Sequence, residues 1–301
     1  MEPTSSSRPP TYVHTRTTSC IIQVLFLFGL AAPSLAQEVS FPDPGLNAAI
    51  RAALQKPSGP LTQQDLLSLT NLDASSRNIS NIVGLEVARN LTSLDLQFNR
   101  LTNFSLPSSL TNLTGLVIRG NNTLIDLTLP QGLTALQTLD IDNNNLAHAG
   151  LPAGMKSLLR LNLEGNQLFS LALPAGMTNL TELILERNHL DSLVLPADLT
   201  KLAVLDCFGN GGRFTNVTIP GSLTALVHVD LAINWLGTLT LPAGLTNLTT
   251  LDLFENGLTN LALPADLIAL TNLDLGVNQL TSFTMPPGAI NLTTLSLFSI
   301  N

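Results

Sequence analysis

Few side chains in this sequence could do catalytic chemistry, and their spacing does not combine them. Outside the N-terminal region, the histidines are His148, His189 and His228, and the thiol is Cys207. They fall at different phases of an internal repeat, so no nucleophile shares a register with a base and a carboxylate. The stretch "DIDNNN" at 140–145 resembles the start of a calcium loop, but the glycine and the closing glutamate are missing. The sequence therefore predicts no enzyme, no cofactor and no metal site.

Asparagine, by contrast, recurs at a fixed place in a repeat that begins L-x-x-L-x-L. The first leucines of the repeats lie 22 to 24 residues apart and are Leu91, Leu113, Leu136, Leu158, Leu180, Leu202, Leu226, Leu248, Leu270 and Leu292. Eight residues after nine of these leucines stands an asparagine, and the set is Asn99, Asn121, Asn144, Asn166, Asn188, Asn210, Asn234, Asn256 and Asn278. Alternation places the leucines on one face of a short strand. Stacked repeats then form a parallel sheet over a core that no single repeat could close.

The asparagines are predicted to be structural. The chain must turn inward after each strand, which brings backbone groups into an apolar core. An asparagine side chain carries both a donor and an acceptor, so it can pair these groups within its own turn and the neighbouring turn. Cys207 stands at a repeated apolar position, which predicts a buried thiol.

The second half of each repeat carries a further L-x-x-L-x-L spacing followed by proline, as in Leu258, Leu261, Leu263 and Pro264. Period-two alternation that ends at proline favours a short extended segment, and 3₁₀ turns are the competing interpretation. The whole pattern is identified as the leucine-rich repeat, L-x-x-L-x-L-x-x-N-x-L. It predicts a leucine-rich-repeat solenoid with a parallel β-sheet on the concave face and short extended or 3₁₀ segments on the convex face.

The chain divides into three predicted regions. Residues 1–36 have a basic start, an apolar stretch from Ile21 to Ala32 and a small-x-small sequence ending at Ala36, which predicts a secretory signal peptide. An uncleaved N-terminal anchor is the alternative. Residues 37–68 predict a small helical N-terminal cap, because Asp43 precedes Pro44 and Thr62 opens "QQDLLSL".

Residues 69–301 hold a degenerate first repeat and about ten more, and the last repeat is incomplete. We expect a fragment of a longer chain, or an uncapped C-terminal edge that associates with itself. Residues 37–301 contain 11 Lys and Arg against 20 Asp and Glu, a net charge of about −9. This charge argues against nucleic-acid or anionic-lipid partners. The predicted location is extracellular, cell-surface or periplasmic, with no stable membrane insertion after signal cleavage.

The N-terminal region is similar to that of the bacterial internalin-like proteins. The resemblance rests on Phe41-Pro42-Asp43, "AAIRAAL", the segment from Leu61 to Thr102, the 22-residue repeat and the recurring "LTNLT". It covers the chain from Phe41 onward and implies an exported bacterial protein that binds other proteins through its concave face. The chain departs from that family in an extra L-x-L before the proline. We see no cell-wall anchor motif and no immunoglobulin-like domain in the sequence.

The exposed strand positions are candidates for partner binding. The fifth repeat position predicts a stripe of aspartates at Asp95, Asp140, Asp206, Asp230, Asp252 and Asp274. The stripe either solvates the solenoid or steers basic partners. Just beyond the strands, an apolar set clusters in the C-terminal repeats, namely Phe208, Ile233, Trp235, Phe254, Val277 and Phe298. These side chains form either a binding patch or packing between turns.

We therefore expect a protein–protein interaction module that is not an enzyme. The predicted site combines the apolar set with Asp230, Asp252 and Asp274, and Trp235 is its expected anchor. The alternatives are a self-associating surface scaffold and the recognition part of a larger truncated protein. The segment "GNGGRFTN" at 209–216 adds two residues to its repeat. It predicts a local bulge or a functional loop.

Overall fold

The structure, a computed structural model, describes residues 37–298, so the predicted signal peptide at residues 1–36 lies outside it. Two helices form the N-terminal cap, α1 (Pro44–Ala53) and α2 (Gln63–Leu67), and a 3₁₀ turn follows at Leu85–Val87. Asp43 Oδ1 accepts the backbone N–H of Leu46 at 3.0 Å, and its Oδ2 accepts that of Ser80 at 2.8 Å. Asp43 therefore caps α1 and also ties the cap to the first repeat.

Short strands of three residues make up the remainder of the regular structure. In chain order they are β1 (Asn71–Asp73), β2 (Ser93–Asp95), β3 (Asn103–Ser105), β4 (Gly115–Val117), β5 (Asp126–Thr128), β6 (Thr138–Asp140), β7 (His148–Gly150), β8 (Arg160–Asn162), β9 (Glu182–Ile184), β10 (Ser192–Val194), β11 (Val204–Asp206), β12 (Asn216–Thr218), β13 (His228–Asp230), β14 (Thr238–Thr240), β15 (Thr250–Asp252), β16 (Asn260–Ala262), β17 (Asn272–Asp274) and β18 (Thr294–Ser296).

Eleven of these strands form one parallel sheet, in the order β1-β2-β4-β6-β8-β9-β11-β13-β15-β17-β18. Each strand pairs with the equivalent strand of the next repeat, so Leu251 of β15 lies opposite Leu273 of β17. Leu251 is fully buried, while Thr250 and Asp252 on either side are partly exposed. The alternation predicted from the sequence is therefore the burial pattern of the sheet. The outward-facing side of this sheet, with the turns that leave it, is called the sheet face below.

The second half of the repeat forms three smaller parallel sheets, β3-β5-β7, β10-β12 and β14-β16. The extended interpretation is thus confirmed in seven repeats. The corresponding segments at 168–174 and 280–286 contain no strand. No helix within residues 37–298 is both long enough and apolar enough to cross a membrane.

The core is a continuous column of leucine, and Cys207 and Phe214 are fully buried within it. Asn256 shows how the column accommodates its turns. Its Nδ2 donates to the carbonyls of Leu231 at 2.9 Å and Leu253 at 3.1 Å, and its Oδ1 accepts the N–H of Leu236 at 3.1 Å. One amide thus serves backbone groups of two adjacent repeats. The equivalent asparagines are likewise buried, and we call the set the Asn ladder.

Candidate protein-binding surface

Four aspartates form an unbroken stripe on the C-terminal half of the sheet face. Strands β11, β13, β15 and β17 are paired in register, which aligns Asp206, Asp230, Asp252 and Asp274. Neighbouring members are separated by one strand spacing, about 4.8 Å. Asp95 and Asp140 occupy the same repeat position farther towards the N-terminus, but β4 places Val117 between them. The predicted stripe is therefore continuous only in its last four members.

Each aspartate of this stripe also holds the turn that follows its strand. The Oδ1 atom accepts the backbone N–H two residues later, at 3.0 Å for Asp206, 2.9 Å for Asp230 and Asp252, and 2.8 Å for Asp274. The sequence prediction considered only solvation and steering for these residues. An aspartate two residues before a turn is a known local bonding pattern and could have indicated this structural role.

The surroundings of the stripe disfavour the charged form of three of its aspartates. Burial raises the pKa of Asp206, Asp230 and Asp252, and the neighbouring carboxylates add to the effect while the backbone N–H bonds oppose it. Glu186, on the preceding repeat, has its pKa raised to about 7 by burial and by its hydrogen bond to the Asp206 carboxylate. The acidic surface therefore has one carboxyl that titrates near neutral pH.

The apolar candidates do not form a single row. Phe208, Phe254 and Phe298 stand at the seventh repeat position, directly after their strands. Phe208 and Phe254 are half-buried, whereas Phe298 is 72% exposed. The guanidinium of Arg187 lies 5.9 Å from the centre of the Phe208 ring, so that ring is already occupied on one side.

The other three apolar candidates meet in one cavity of about 340 Å³. Ile233, Trp235 and Val277 line it together with Gly212 and Glu255. Sequence reasoning missed the glycines and Glu255, because their role depends on which residues of four successive repeats face one space. Asp252 and Asp274 line a separate, smaller hollow of about 170 Å³ on the sheet face. Five residues of the predicted site therefore line two separate depressions, and four line neither of them, namely Phe208, Asp230, Phe254 and Phe298.

The turn at the larger cavity has the backbone conformation that this position adopts throughout the solenoid. The eighth residue of nine successive repeats has a left-handed backbone, and three of the nine are glycines. At the cavity this position is held by Ile233 (φ 54°), Glu255 (φ 52°) and Val277 (φ 54°). A β-branched residue rarely adopts that conformation, and the strain costs on the order of 1–3 kcal/mol. The left-handed turn belongs to the repeat, so Ile233 and Val277 carry a strain that the stacked fold imposes on them.

Comparison with known proteins identifies the repeat and its structural relatives. A family model for the leucine-rich repeat matches residues 90–113. The internalin InlF of Listeria monocytogenes is 28% identical, with 85% of this chain and 76% of that chain covered and a TM-score of 0.67. No curated protein sequence matches this chain.

Two longer bacterial proteins share the solenoid. The functional domain of InlJ from Listeria monocytogenes is 25% identical, with 85% of this chain and 54% of that chain covered and a TM-score of 0.58. YopM from Yersinia enterocolitica is 28% identical, with 80% and 48% covered and a TM-score of 0.59. This chain spans about half the length of each. In repeat length, helical cap and strand arrangement, the chain is a leucine-rich-repeat solenoid similar to the bacterial internalins.

Proposed function

We propose that this chain binds a protein partner through the sheet face, which corresponds to the concave face of a leucine-rich-repeat solenoid. Solenoids of stacked repeats present extended surfaces that serve as binding sites. The observation that carries the proposal is the convergence of Trp235, Ile233 and Val277 on one cavity beside the aspartate stripe. A single large aromatic residue in a depression is a common energetic centre of protein interfaces.

We further propose that the module acts outside the cell that makes it and has no catalytic activity of its own. The support for export is the N-terminal pattern of residues 1–36. The support for a non-catalytic role is that the stripe aspartates, the conspicuous polar residues of the sheet face, hold turns.

A capture experiment with surface-directed variants tests the binding proposal. Residues 37–301 are immobilised, and partners are recovered from the native surroundings of the protein. One variant carries Trp235→Ala and Phe254→Ala on the sheet side. The control carries Val194→Ala, because Val194 is 62% exposed on one of the smaller sheets.

Circular dichroism and thermal unfolding establish that both variants remain folded. We expect the sheet-side variant to lose a partner that the control retains. Equal recovery by two folded variants would remove the sheet face as the binding surface.

A further inference from the structure

The side chain of Trp235 is largely exposed to solvent, although its backbone lies within the stacked repeats. It is 62% exposed, while its backbone N–H is fixed to the carbonyl of Phe214 at 3.2 Å. On the preceding repeat, a Cβ added to Gly212 would lie 3.6 Å from Cε3 of Trp235. On the following repeat, the equivalent position is Gly257. Gly212 therefore presents no side chain to the indole ring, and the residue stays largely exposed.

Three phenylalanine rings of the molecule are already paired with a cation. Arginine guanidinium groups lie 5.9 Å from the ring centres in three pairs, Arg119 with Phe98, Arg187 with Phe208 and Arg213 with Phe169. Within residues 37–298, Trp235 has no such partner. Tryptophan is the side chain that attracts a cation most strongly through its ring face. Among the described rings without an arginine partner, which include Phe254 and Phe298, Trp235 is therefore the best suited to this interaction.

The C-terminal part of the chain contains no cation that could close this site. Arg213 is the last arginine or lysine in the sequence, and five acidic residues follow it, namely Asp230, Asp252, Glu255, Asp266 and Asp274. Glu255 lines the cavity with Trp235, and its carboxylate has no hydrogen bond or ion pair with any residue in the described range. An exposed carboxylate and an open indole thus face one space. Arg213 follows Gly212 in the sequence, but its guanidinium pairs with the Phe169 ring and lies 4.0 Å from the Asp191 carboxylate.

We propose that the cavity between Trp235 and Glu255 receives an arginine side chain from a basic segment of the protein partner. This inference rests on the proposed function and specifies the partner's chemistry. A guanidinium can stack on the indole face and pair with a carboxylate at its edge, which an ammonium does less well. Asp230, Asp252 and Asp274 continue the negative surface along the sheet face and attract neighbouring basic residues of the same segment. Ile233 and Val277 supply apolar contacts for the arginine stem.

Trp235 is the sole tryptophan of the chain, so its fluorescence reports directly on the cavity. Residues 37–301 are titrated with a peptide of alternating glycine and arginine, and with matched peptides that carry citrulline or lysine. We expect a saturable change in fluorescence with arginine, weaker binding with lysine and none with citrulline. Equal responses to arginine and citrulline would overturn the inference.

Variants locate the interaction, with binding measured by anisotropy of a labelled arginine peptide. We expect Glu255→Gln and Trp235→Ala each to weaken binding about fivefold or more. Gly212→Leu should also weaken binding, because the new side chain covers the indole. Asp126→Asn removes the same charge at a residue that is 72% exposed and remote from the cavity, and it should have little effect. If Glu255→Gln binds as tightly as Asp126→Asn, the proposed site is wrong.

Three further outcomes bear on this inference, and two of them separate it from the proposed function. A partner whose capture needs the sheet face, combined with no arginine response, would keep the proposed function and remove the arginine site. Self-association that occupies Trp235 in the absence of peptide, seen as a concentration-dependent change in mass and fluorescence, would assign the cavity to a second copy. That result would also overturn the inference. An arginine response without any sheet-dependent partner would keep the site and remove the proposed function.

Discussion

Asp252 holds the residue that follows its strand, because its Oδ1 accepts the backbone N–H of Phe254 at 2.9 Å. Both residues were candidates for partner contact, yet one fixes the backbone of the other. The same bond recurs along the stripe, from Asp206 to Asp274. A binding role for the stripe therefore has to be separated from its role in holding the turns.

Substitution at Asp252 separates the two roles. Asp252→Asn keeps an acceptor for the Phe254 N–H and removes the charge, so we expect little change in the free energy of unfolding. Asp252→Ala removes the acceptor and should lower that free energy by about 1–2 kcal/mol. Urea unfolding measures both variants. A destabilised Asp252→Asn would show that the charge itself, and not the acceptor, holds the turn.

Substitution of an asparagine in the Asn ladder should lower the free energy of unfolding far more than substitution of a surface asparagine. Asn256→Ala leaves the N–H of Leu236 without its partner. It also removes one hydrogen bond from the carbonyls of Leu231 and Leu253, which keep those from the neighbouring ladder asparagines. A buried unpaired N–H costs about 1–3 kcal/mol and each lost hydrogen bond about 1 kcal/mol, so we expect a loss of roughly 3 kcal/mol in the free energy of unfolding.

The matched control for Asn256 is Asn247→Ala. Asn247 is exposed and donates to a single carbonyl, that of Thr224, at 2.9 Å. Its replacement should cost about 1 kcal/mol or less. Similar losses for the two variants in chemical denaturation would contradict the structural role of the ladder.

The fold could be predicted from the sequence because the repeats share the same spacing of leucine and asparagine. The leucine spacing determines strand, face and period, and Asp43 and Thr62 mark the starts of both cap helices. The surface was less predictable. The cavity joins residues of four repeats, and its lining includes Gly212 and Gly257, which lack the side chains that a sequence pattern would highlight.

The backbone strain at the eighth repeat position could not be predicted from the sequence either. The eighth repeat position is glycine in some repeats and isoleucine, valine or arginine in others, so residue type alone does not indicate a left-handed backbone. Only the coordinates show that Ile233 and Gly209 share one conformation. The shared turn geometry, imposed by the stacked neighbours, overrides the preference of the individual residue.

Relief of this strain should stabilise the protein. Ile233→Asn places a residue that tolerates the left-handed region at φ 54°, and we expect the free energy of unfolding to rise by about 1 kcal/mol. Val204→Asn is the control, because it makes a similar change within strand β11 and should not stabilise. Thermal unfolding compares the two. A lower melting temperature for Ile233→Asn would mean that its apolar contacts outweigh the strain.

The stability of the fold should decrease as the pH rises towards neutrality. Glu186 has a pKa of about 7 in the folded state against an ordinary value of 4.5, so the folded state retains its proton more tightly. That contribution is complete below about pH 4.5 and is lost as the pH rises through about 7, on the order of 2 kcal/mol. Glu186→Gln cannot titrate and should flatten the profile of unfolding free energy between about pH 5 and 8.

Asp65→Asn is the control, because the Lys56 ammonium and the Thr62 hydrogen bonds lower the pKa of Asp65 to about 2. Loss of the Asp65 carboxylate should lower the free energy of unfolding by the same amount at every pH above about 4. The slope of the profile between about pH 5 and 8 should therefore stay unchanged. If the pH profile of Glu186→Gln kept the wild-type slope, the titration would belong to the aspartates of the stripe.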